Sequence, residues 1–498
     1  MKTVKVDIAK FPELKFKNEN VYWDTRQLNE TSRGWSLICE DEFSNLEAQK
    51  KLRSLKELKT IGTLKSQCDI TVGNPRRFLG ELASQNFSHI SSQMFVMGIT
   101  GTNGKSTSAQ LAASLLSILN GPCACVGTLG IQIFSGGSLI DAFESGFTTP
   151  EAPTLHRLFF DLFQNGIRQV VMEVSSHAVK LERIAGVDFD VGIFTNLTQD
   201  HLDFHKTMEE YELQKTRFFT EHLGQKNLVI ESHSGLLPLQ SQKARLAIFN
   251  GDDPAGLRML AKVPLGLKSY SFRHLNNYCI SKMSLSGMEI DCEGDILKSP
   301  LVGRFNAENI VGIYLALKNI FPSHLSKIKE GLENFKGARG RMEKLAVHKE
   351  RHIFVDYAHT PDALEKALKT LQNLKDPSQK LWVLFGCGGD RDPLKRPMMG
   401  QIAEKFSDHR ILSSDNPRTE EPEKIINDIL AGMKSDDANR HVEVDRGRAI
   451  SFAVRTMKSG DILLIAGKGH EEYQIIGKDK IHFSDFEVAE LALKSLKD

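Results

Sequence analysis

Met94-Phe-Val-Met-Gly98-Ile99-Thr100-Gly101-Thr102-Asn103-Gly104-Lys105-Ser106-Thr107 decides how the chain folds around it. Met94 to Ile99 is a short apolar run, and Ser106 to Leu119 is an Ala/Leu-rich stretch of helical character. A Gly-rich turn between a strand and a helix is where a phosphate loop belongs. Its backbone N–H groups and the helix N-terminus cradle phosphates, Lys105 neutralises charge and Ser106 offers a hydroxyl to Mg²⁺. The residue five before Gly104 is Ile99, so the spacing departs from the strict P-loop pattern. A merely flexible Gly-rich loop is the plainer reading, and the flanking strand and helix weigh against it.

Working outward, apolar runs recur at Val170 to Val174, Val191 to Leu197 and Leu228 to Ile230, with helical periodicity between them. Buried parallel strands alternating with helices produce that pattern. A second series follows Gly337: strands at Ile353 to Tyr357, Leu381 to Phe385, Ile411 to Ser413 and Ile462 to Ala466, helices at Asp362 to Leu374 and Glu423 to Met433. Before Ser92 the signal is weak, with a polar, Lys-rich stretch from Asn45 to Lys65. The expectation is an α/β protein of three domains: a small α/β domain over 1–92, a P-loop ATPase-like domain over 93–336 and a Rossmann-like domain over 337–498. In open α/β sheets ligands bind beyond the carboxyl ends of the strands, and two such domains can close on one substrate.

Composition agrees. At roughly 150 residues per domain, 498 residues make about three domains. Apolar residues at 40% and charged residues at 26% suit several packed cores. With 64 Lys+Arg against 63 Asp+Glu there is no global field for nucleic acid or an anionic membrane, so any anion site is local. Seven cysteines without a CxxC pair read as reduced thiols. No stretch approaches the ~20 apolar residues of a membrane span, and no h-region follows Met1. A cytoplasmic monomer acting on small molecules is expected.

Two further segments end predicted strands beside the loop: Met172-Glu173-Val-Ser175-Ser-His177 and Asn196-Leu-Thr-Gln-Asp200-His201-Leu-Asp-Phe-His205. By themselves Glu173 is an acid at a strand end, and His201 with His205 is a capped turn or an i, i+4 zinc pair. Lys215, in Tyr211-Glu-Leu-Gln-Lys215, reads alone as one more helix lysine.

The spelling Thr100-Gly-Thr-Asn-Gly-Lys-Ser-Thr107, with these segments in order behind it, resembles the ATP loop of the Mur ligases and their folylpolyglutamate synthetase relatives. The resemblance covers roughly residues 94 to 490. It implies ATP held by Gly101, Thr102, Asn103, Gly104, Lys105, Ser106 and Thr107, with Asn306 and Asn309 on the adenine edge. It makes Arg341 a γ-phosphate ligand and Asp356 an acceptor from the ribose, with His359 beside it. Mg²⁺ is implied on Ser106, Glu173, His201 and a carbamylated Lys215. Lys105, Lys215 and Arg341 become the catalytic residues. Thr25, Thr148, Thr149, Ser175 and Arg183 match residues that bind a UDP-sugar-peptide. The chain departs from the family pattern in lacking a Gly-rich Asp-Gly-His stretch after Asp24-Thr25-Arg26, and in carrying Phe147 before Thr148 and Leu181 before Arg183.

Gly386-Cys-Gly-Gly-Asp390-Arg391, Asp415-Asn416-Pro417-Arg418 and Gly467-Lys468-Gly-His-Glu471 resemble the amino-acid pocket of the diaminopimelate-adding members. That implies Arg391, Asp415, Asn416, Pro417, Arg418, Gly467 and Glu471 around meso-diaminopimelate. The implied reaction joins this amino acid to UDP-N-acetylmuramoyl-L-alanyl-D-glutamate through an acyl phosphate, in a cleft that excludes water. A lysine-adding or folylpolyglutamate-type ligase is the nearer alternative, and Asp415 to Arg418 argues against it. A non-catalytic nucleotide-binding paralogue is the other, and intact Lys105, Glu173, His201 and Lys215 argue against that.

Overall fold

The computed structural model describes residues 12–24, 27, 32–37, 58–63, 68–223, 244–345, 350–434 and 438–496. Thr25 and the expected strand Leu228 to Ile230 lie outside them. The chain packs as two compact units: Met1–Tyr278 with Glu308–Leu332, and Cys279–Ala307 with Glu333–Asp498.

The first unit holds two sheets. A five-stranded sheet is built in chain order from β1 (Leu14–Phe16), β2 (Glu19–Tyr22), β3 (Gly34–Leu37), β4 (Leu58–Gly62) and β5 (Ile70–Thr71). Helix Pro75–Asn86 follows, capped by Asn74, whose side chain accepts from Arg77 N, with Pro75 at its first position.

The larger sheet uses β6 (Phe95–Thr100), β7 (Cys123–Gly127), β8 (Gly130–Ser135), β9 (Ser138–Phe143), β10 (Gln169–Glu173), β11 (Val191–Phe194), β12 (Leu246–Asn250) and β13 (Lys268–Phe272). Its order is β13-β12-β11-β6-β10-β7-β8-β9. From β13 to β7 the pairs are parallel, and β8 and β9 extend the edge antiparallel. β10, β11 and β12 are buried at every position, because helices cover both faces and no polar alternation survives. Thr100, Glu173 and Phe194 thus end three neighbouring strands on the same side of the sheet.

The second unit contains a three-stranded sheet, β14 (Tyr278–Ser284), β15 (Gly287–Cys292) and β16 (Asp295–Ser299). The sequence reading did not separate it. Met288, Ile290 and Cys292 are buried in alternation along β15, the pattern of a sheet with one wet face. The main sheet, ordered β17-β18-β22-β19-β20-β21, uses Glu343–Lys344, His352–Asp356, Ile462–Ala466, Leu381–Phe385, His409–Leu412 and Arg440–Val442 respectively. A hairpin, β23 (Tyr473–Ile476) with β24 (Asp479–His482), follows β22. Phe354, Val383, Phe385 and Leu464 enter one core while Ile353, Val355, Leu384 and Ile465 enter the other. These are successive residues on opposite faces, so continuous apolar runs mean two buried faces.

Among the described residues no helix is long and apolar enough to cross a membrane. The six described cysteines are free thiols.

His156, on helix Ala152–Gln164, is wholly buried and shares its Nε2 proton with Ala185 O at 2.9 Å. Burial pushes its pKa down from 6.5 to about 4. The neutral ring is favoured in the fold, so the unfolded chain binds more protons between these values and stability falls as pH drops through that window. Above pH 6.5 the contribution is complete. We expect the urea midpoint of the wild type to fall more steeply from pH 6.5 to 4 than that of His156→Gln. The difference should be on the order of 3 kcal/mol at the acid end.

Candidate functional site

The loop after β6 is shaped by two glycines and clamped from β11. Gly101 (φ 155°) and Gly104 (φ 84°) sit in backbone regions that L side chains avoid. A Cβ on Gly101 would overlap Thr195 Oγ1, and one on Gly104 would overlap Asn309 Oδ1. Asn196 holds the turn three ways: its carbonyl accepts from Thr102 N at 2.8 Å, its Oδ1 from Asn103 N at 2.9 Å, and its Nδ2 donates to Asn103 O at 3.1 Å. Thr195 Oγ1 donates to the same carbonyl at 2.7 Å. Helix Lys105–Asn120 then starts without a side-chain cap, leaving first-turn N–H groups for an anion.

Two lysines converge on Gly101 O: Lys105 Nζ donates to it at 2.9 Å and Lys215 Nζ at 2.8 Å. Lys105 also donates to Thr102 O at 2.8 Å. Lys215 is fully buried on helix Met208–Arg217, 4.4 Å from the centre of the Tyr211 ring. Burial, then the charge of Lys105, holds its pKa well below the usual lysine value. Tyr211, one turn earlier, shares a hydrogen bond of 3.1 Å with Thr102 Oγ1. Sequence reasoning gave Tyr211 no role, although Tyr and Lys four apart lie on one helix face.

Glu173 ends β10 almost wholly buried. Its carboxylate accepts from Thr128 N at 2.9 Å and Thr128 Oγ1 at 3.3 Å. Ser106 and Glu173 line one small crevice. Both offer oxygen, the donor type Mg²⁺ takes, and a carboxylate keeps lone pairs beyond these two bonds. Thr128 was not foreseen; its hydroxyl also lies 3.1 Å from Thr148 Oγ1. Thr149 Oγ1 donates to Glu173 O at 2.9 Å and accepts from Ser175 N at 3.4 Å. Arg183 Nη1 donates to Thr149 O at 3.2 Å and Nη2 pairs with Glu151 at 2.8 Å. Its guanidinium lies 5.0 Å from the Phe147 ring centre. Thr148, Thr149, Ser175 and Arg183 are thus one connected group with Glu173.

His201 lies edge-on to His177 at 4.8 Å, its ring 6.1 Å from Tyr211. Desolvation, with Lys105 and Lys215 nearby, lowers its pKa against the pull of Asp200, so a neutral, ligating imidazole is favoured. His205 is committed elsewhere: its Nε2 meets Ser176 Oγ at 2.8 Å. Among the described residues, no group of three or more potential metal ligands brought close together includes His201 or His205.

Asn306 and Asn309 lie on helix Arg304–Ile320. Asn306 is buried and donates to Val302 O at 2.8 Å. Asn309 packs on Gly104, at the phosphate loop. In the second unit, Asp356 Oδ2 accepts from Met342 N at 2.6 Å, and burial raises its pKa although Arg341 opposes it. Arg341 covers the Tyr357 ring at 4.7 Å. His359 Nδ1 donates to Tyr357 O at 2.8 Å, and its pKa is lowered by burial.

The residues expected around an amino acid follow the strand ends of β19, β20 and β22. Asp415 and Asn416 are buried, and Asn416 Nδ2 donates to Glu471 Oε2 at 2.8 Å. Pro417 is followed by Arg418 in a left-handed conformation (φ 51°). Arg418 N donates to Ile475 O at 3.1 Å and Gly477 N to Arg418 O at 2.7 Å, tying the segment to β23. Its Nη1 reaches Gly389 O at 2.8 Å. Gly467 N donates to Asp356 O at 3.1 Å. Arg391 is exposed, with Nη1 on Asp390 O at 3.1 Å. Lys468, wholly buried among Asp415, Asn416 and Glu471, was quoted from the sequence but given no role. A lysine between two glycines was its only signal.

A clamped Gly-rich loop, an uncapped helix start and converging lysines at parallel strand ends define a phosphate-loop nucleotide-binding protein. Residues 99–317 match the Mur ligase middle domain and residues 340–469 the Mur ligase, glutamate ligase domain. The UDP-N-acetylmuramoyl-L-alanyl-D-glutamate--2,6-diaminopimelate ligase of Chromobacterium violaceum is 42% identical over 430 residues, covering 85% of this chain and 82% of that protein. The protein of the same name from Clostridioides difficile is 36% identical over 506 residues, covering 97% and 96%. A solved structure of a ligase with this name superposes with a TM-score of 0.65 at 29% identity, covering 95% of this chain and 94% of that one. Folylpolyglutamate synthase of Mycobacterium tuberculosis shares the fold, with a TM-score of 0.59 at 14% identity over 84% of this chain and 95% of that one. The chain belongs to the Mur ligase family, and is thereby an ATP-dependent ligase.

Lys105→Ala should cut ATP-dependent turnover by at least about 10²-fold while moving the thermal midpoint only a few degrees. The lysine's bonds go to loop carbonyls, so its loss removes phosphate neutralisation and little packing. Steady-state ADP release and a melting curve check the two halves.

Proposed function

We propose that this ligase adds meso-diaminopimelate to UDP-N-acetylmuramoyl-L-alanyl-D-glutamate, with ATP giving ADP and phosphate, in the cytoplasmic synthesis of peptidoglycan precursor. Three domains, over 1–92, 93–336 and 337–498, are part of the proposal. The observation that carries it is the buried Lys215 amine on Gly101 O, beside Lys105. A helix lysine with no catalytic use has no reason to be desolvated next to another cation, since both effects disfavour its charge.

The chemical difficulty is the attack of a carboxylate on a polyanionic γ-phosphate. Lys105 and the loop N–H groups offset that charge where it develops. Ser106, Glu173, His201 and a carbamylated Lys215 would hold Mg²⁺, which when bound neutralises further phosphate charge. The neutral Lys215 amine adds to CO₂ with loss of a proton, and a cation site becomes an anionic oxygen ligand. Thr148, Thr149, Ser175 and Arg183 orient the peptide carboxylate, and its acyl phosphate is then attacked by the amine of the amino acid. Arg418 donates to the distal carboxylate of diaminopimelate, and Asp415 and Glu471 accept from its ammonium.

ADP release and tripeptide formation with a panel of amino acids test the reading: meso-diaminopimelate should support turnover and lysine should not. Robust turnover with lysine would overturn it. Lys215→Ala is expected to be nearly inactive and partly restored by formate or acetate, which can occupy the emptied ligand position. Crystallographic density for a bare ammonium in an active Mg²⁺ complex would remove the carbamate. Arg418→Ala should lower kcat/KM for diaminopimelate by roughly 10²-fold, the value of one charged hydrogen-bond set, and leave the poor lysine reaction unchanged. Equal losses with both amino acids would mean that Arg418 only supports the pocket.

A further inference from the structure

Lys468 follows Gly467 at the end of β22 and exposes none of its surface. Its Nζ lies 3.1 Å from Asn416 Oδ1, 3.1 Å from Glu471 Oε2 and 3.5 Å from Asp415 Oδ1. An ammonium has three protons and no lone pair: Asn416 Oδ1 and Glu471 Oε2 each accept one, and the Asp415 carboxylate faces it at ion-pair distance. Its nitrogen is therefore held between three side chains that come from two strand ends. The Tyr473 ring, 5.7 Å away, closes the remaining side.

Behind it stands a separate buried pair, Arg446 and Asp485, with Arg446 Nε 2.7 Å from Asp485 Oδ1 and neither side chain exposed. Arg446 Nη2 also donates to Ala466 O at 2.9 Å and Nη1 to Ser414 O at 3.5 Å. These are the residues just before Gly467 and Asp415, so the pair pins both strand ends and compensates itself. At the pocket wall one ammonium faces two carboxylates, leaving a single negative charge. Asn416 is fixed in the same act, because its Oδ1 takes Lys468 and Ile475 N at 2.9 Å while its Nδ2 turns to Glu471.

We infer that Lys468 is the positioning residue of the amino-acid pocket: it holds Asp415, Asn416 and Glu471 in one geometry and leaves net charge for just one ammonium of the bound amino acid. Without it, two carboxylates lose the ammonium between them and repel, and Asn416 keeps Ile475 N and Glu471 but loses the partner that ties it to both carboxylates. The inference rests on the diaminopimelate reading of this pocket. It assigns Lys468 to amino-acid binding and to no part of ATP or acyl-phosphate chemistry.

The test separates those steps. Full-length Lys468→Met is compared with wild type for tripeptide formation, and for hydroxamate formation when hydroxylamine replaces the amino acid. Hydroxylamine attacks the acyl phosphate, displaces phosphate and needs no pocket. The variant should form hydroxamate within about twofold of wild type while its KM for diaminopimelate rises at least about tenfold. Lys468→Gln, which keeps two N–H donors, should show the same split in weaker form and covers a methionine variant that does not fold. Equal loss of hydroxamate and tripeptide, an unchanged KM for diaminopimelate, or failure of both variants to fold would overturn the inference. Wild-type hydroxamate without any diaminopimelate-dependent tripeptide would instead overturn the substrate reading.

Discussion

One carbonyl oxygen organises the nucleotide end of the first unit. Gly101 O receives Lys105 and Lys215 at 2.9 and 2.8 Å, and two ammonium groups so close in a desolvated place repel. Lys105 sits at the end of the Gly-rich loop and is also bonded to Thr102 O. Lys215 is buried beside it, and burial and that neighbouring charge hold its pKa well below the usual lysine value against the pull of Asp200. The conformation of Gly101, the Asn196 clamp and the Thr102 bond to Tyr211 all serve to keep that oxygen where both lysines reach it.

Charge compensation organises the second unit in another way. Arg446 and Asp485 neutralise each other completely inside the protein while bonding to the carbonyls of Ser414 and Ala466. Breaking such a pair leaves one buried charge uncompensated, which costs about 3–5 kcal/mol, so both strand ends are held in place. Lys468 then balances one of two carboxylates on the other side. Arg418 is presented differently, by a left-handed backbone joined to β23, and its guanidinium stays at the pocket margin on Gly389 O.

Much of this was legible in advance. The strand Leu381 to Phe385 and the helix ending at Leu374 were foreseen to the residue at those ends, since the apolar run lies between Lys380 and Gly386 and the helical periodicity stops before Lys375. The glutamate at the end of β10 and the lysine four after Tyr211 were named on the family resemblance, which alone distinguished them from ordinary surface residues. β14 to β16 were not separated, because three short alternating strands lack the contrast of a parallel core. Thr128 and Lys468 escaped because their importance is pairwise. A threonine matters here through a carboxylate 45 positions away, and a lysine through an asparagine 52 positions away.

The order of strand, glycine loop and helix and the two α/β series were determined by sequence alone. Periodicity and turn chemistry are local, and each reports on the backbone within a few residues. Only the tertiary structure decided that Lys215 is buried beside Lys105 with its pKa held well below the usual lysine value, that His205 bonds to Ser176 while His201 stays beside His177 and Tyr211, and that Lys468 lies buried between Asn416 and Glu471. The physical reason is that desolvation and Coulomb interaction depend on distance through space. A lysine's charge is set by what surrounds its nitrogen, and those groups come from strands and helices far away in the chain.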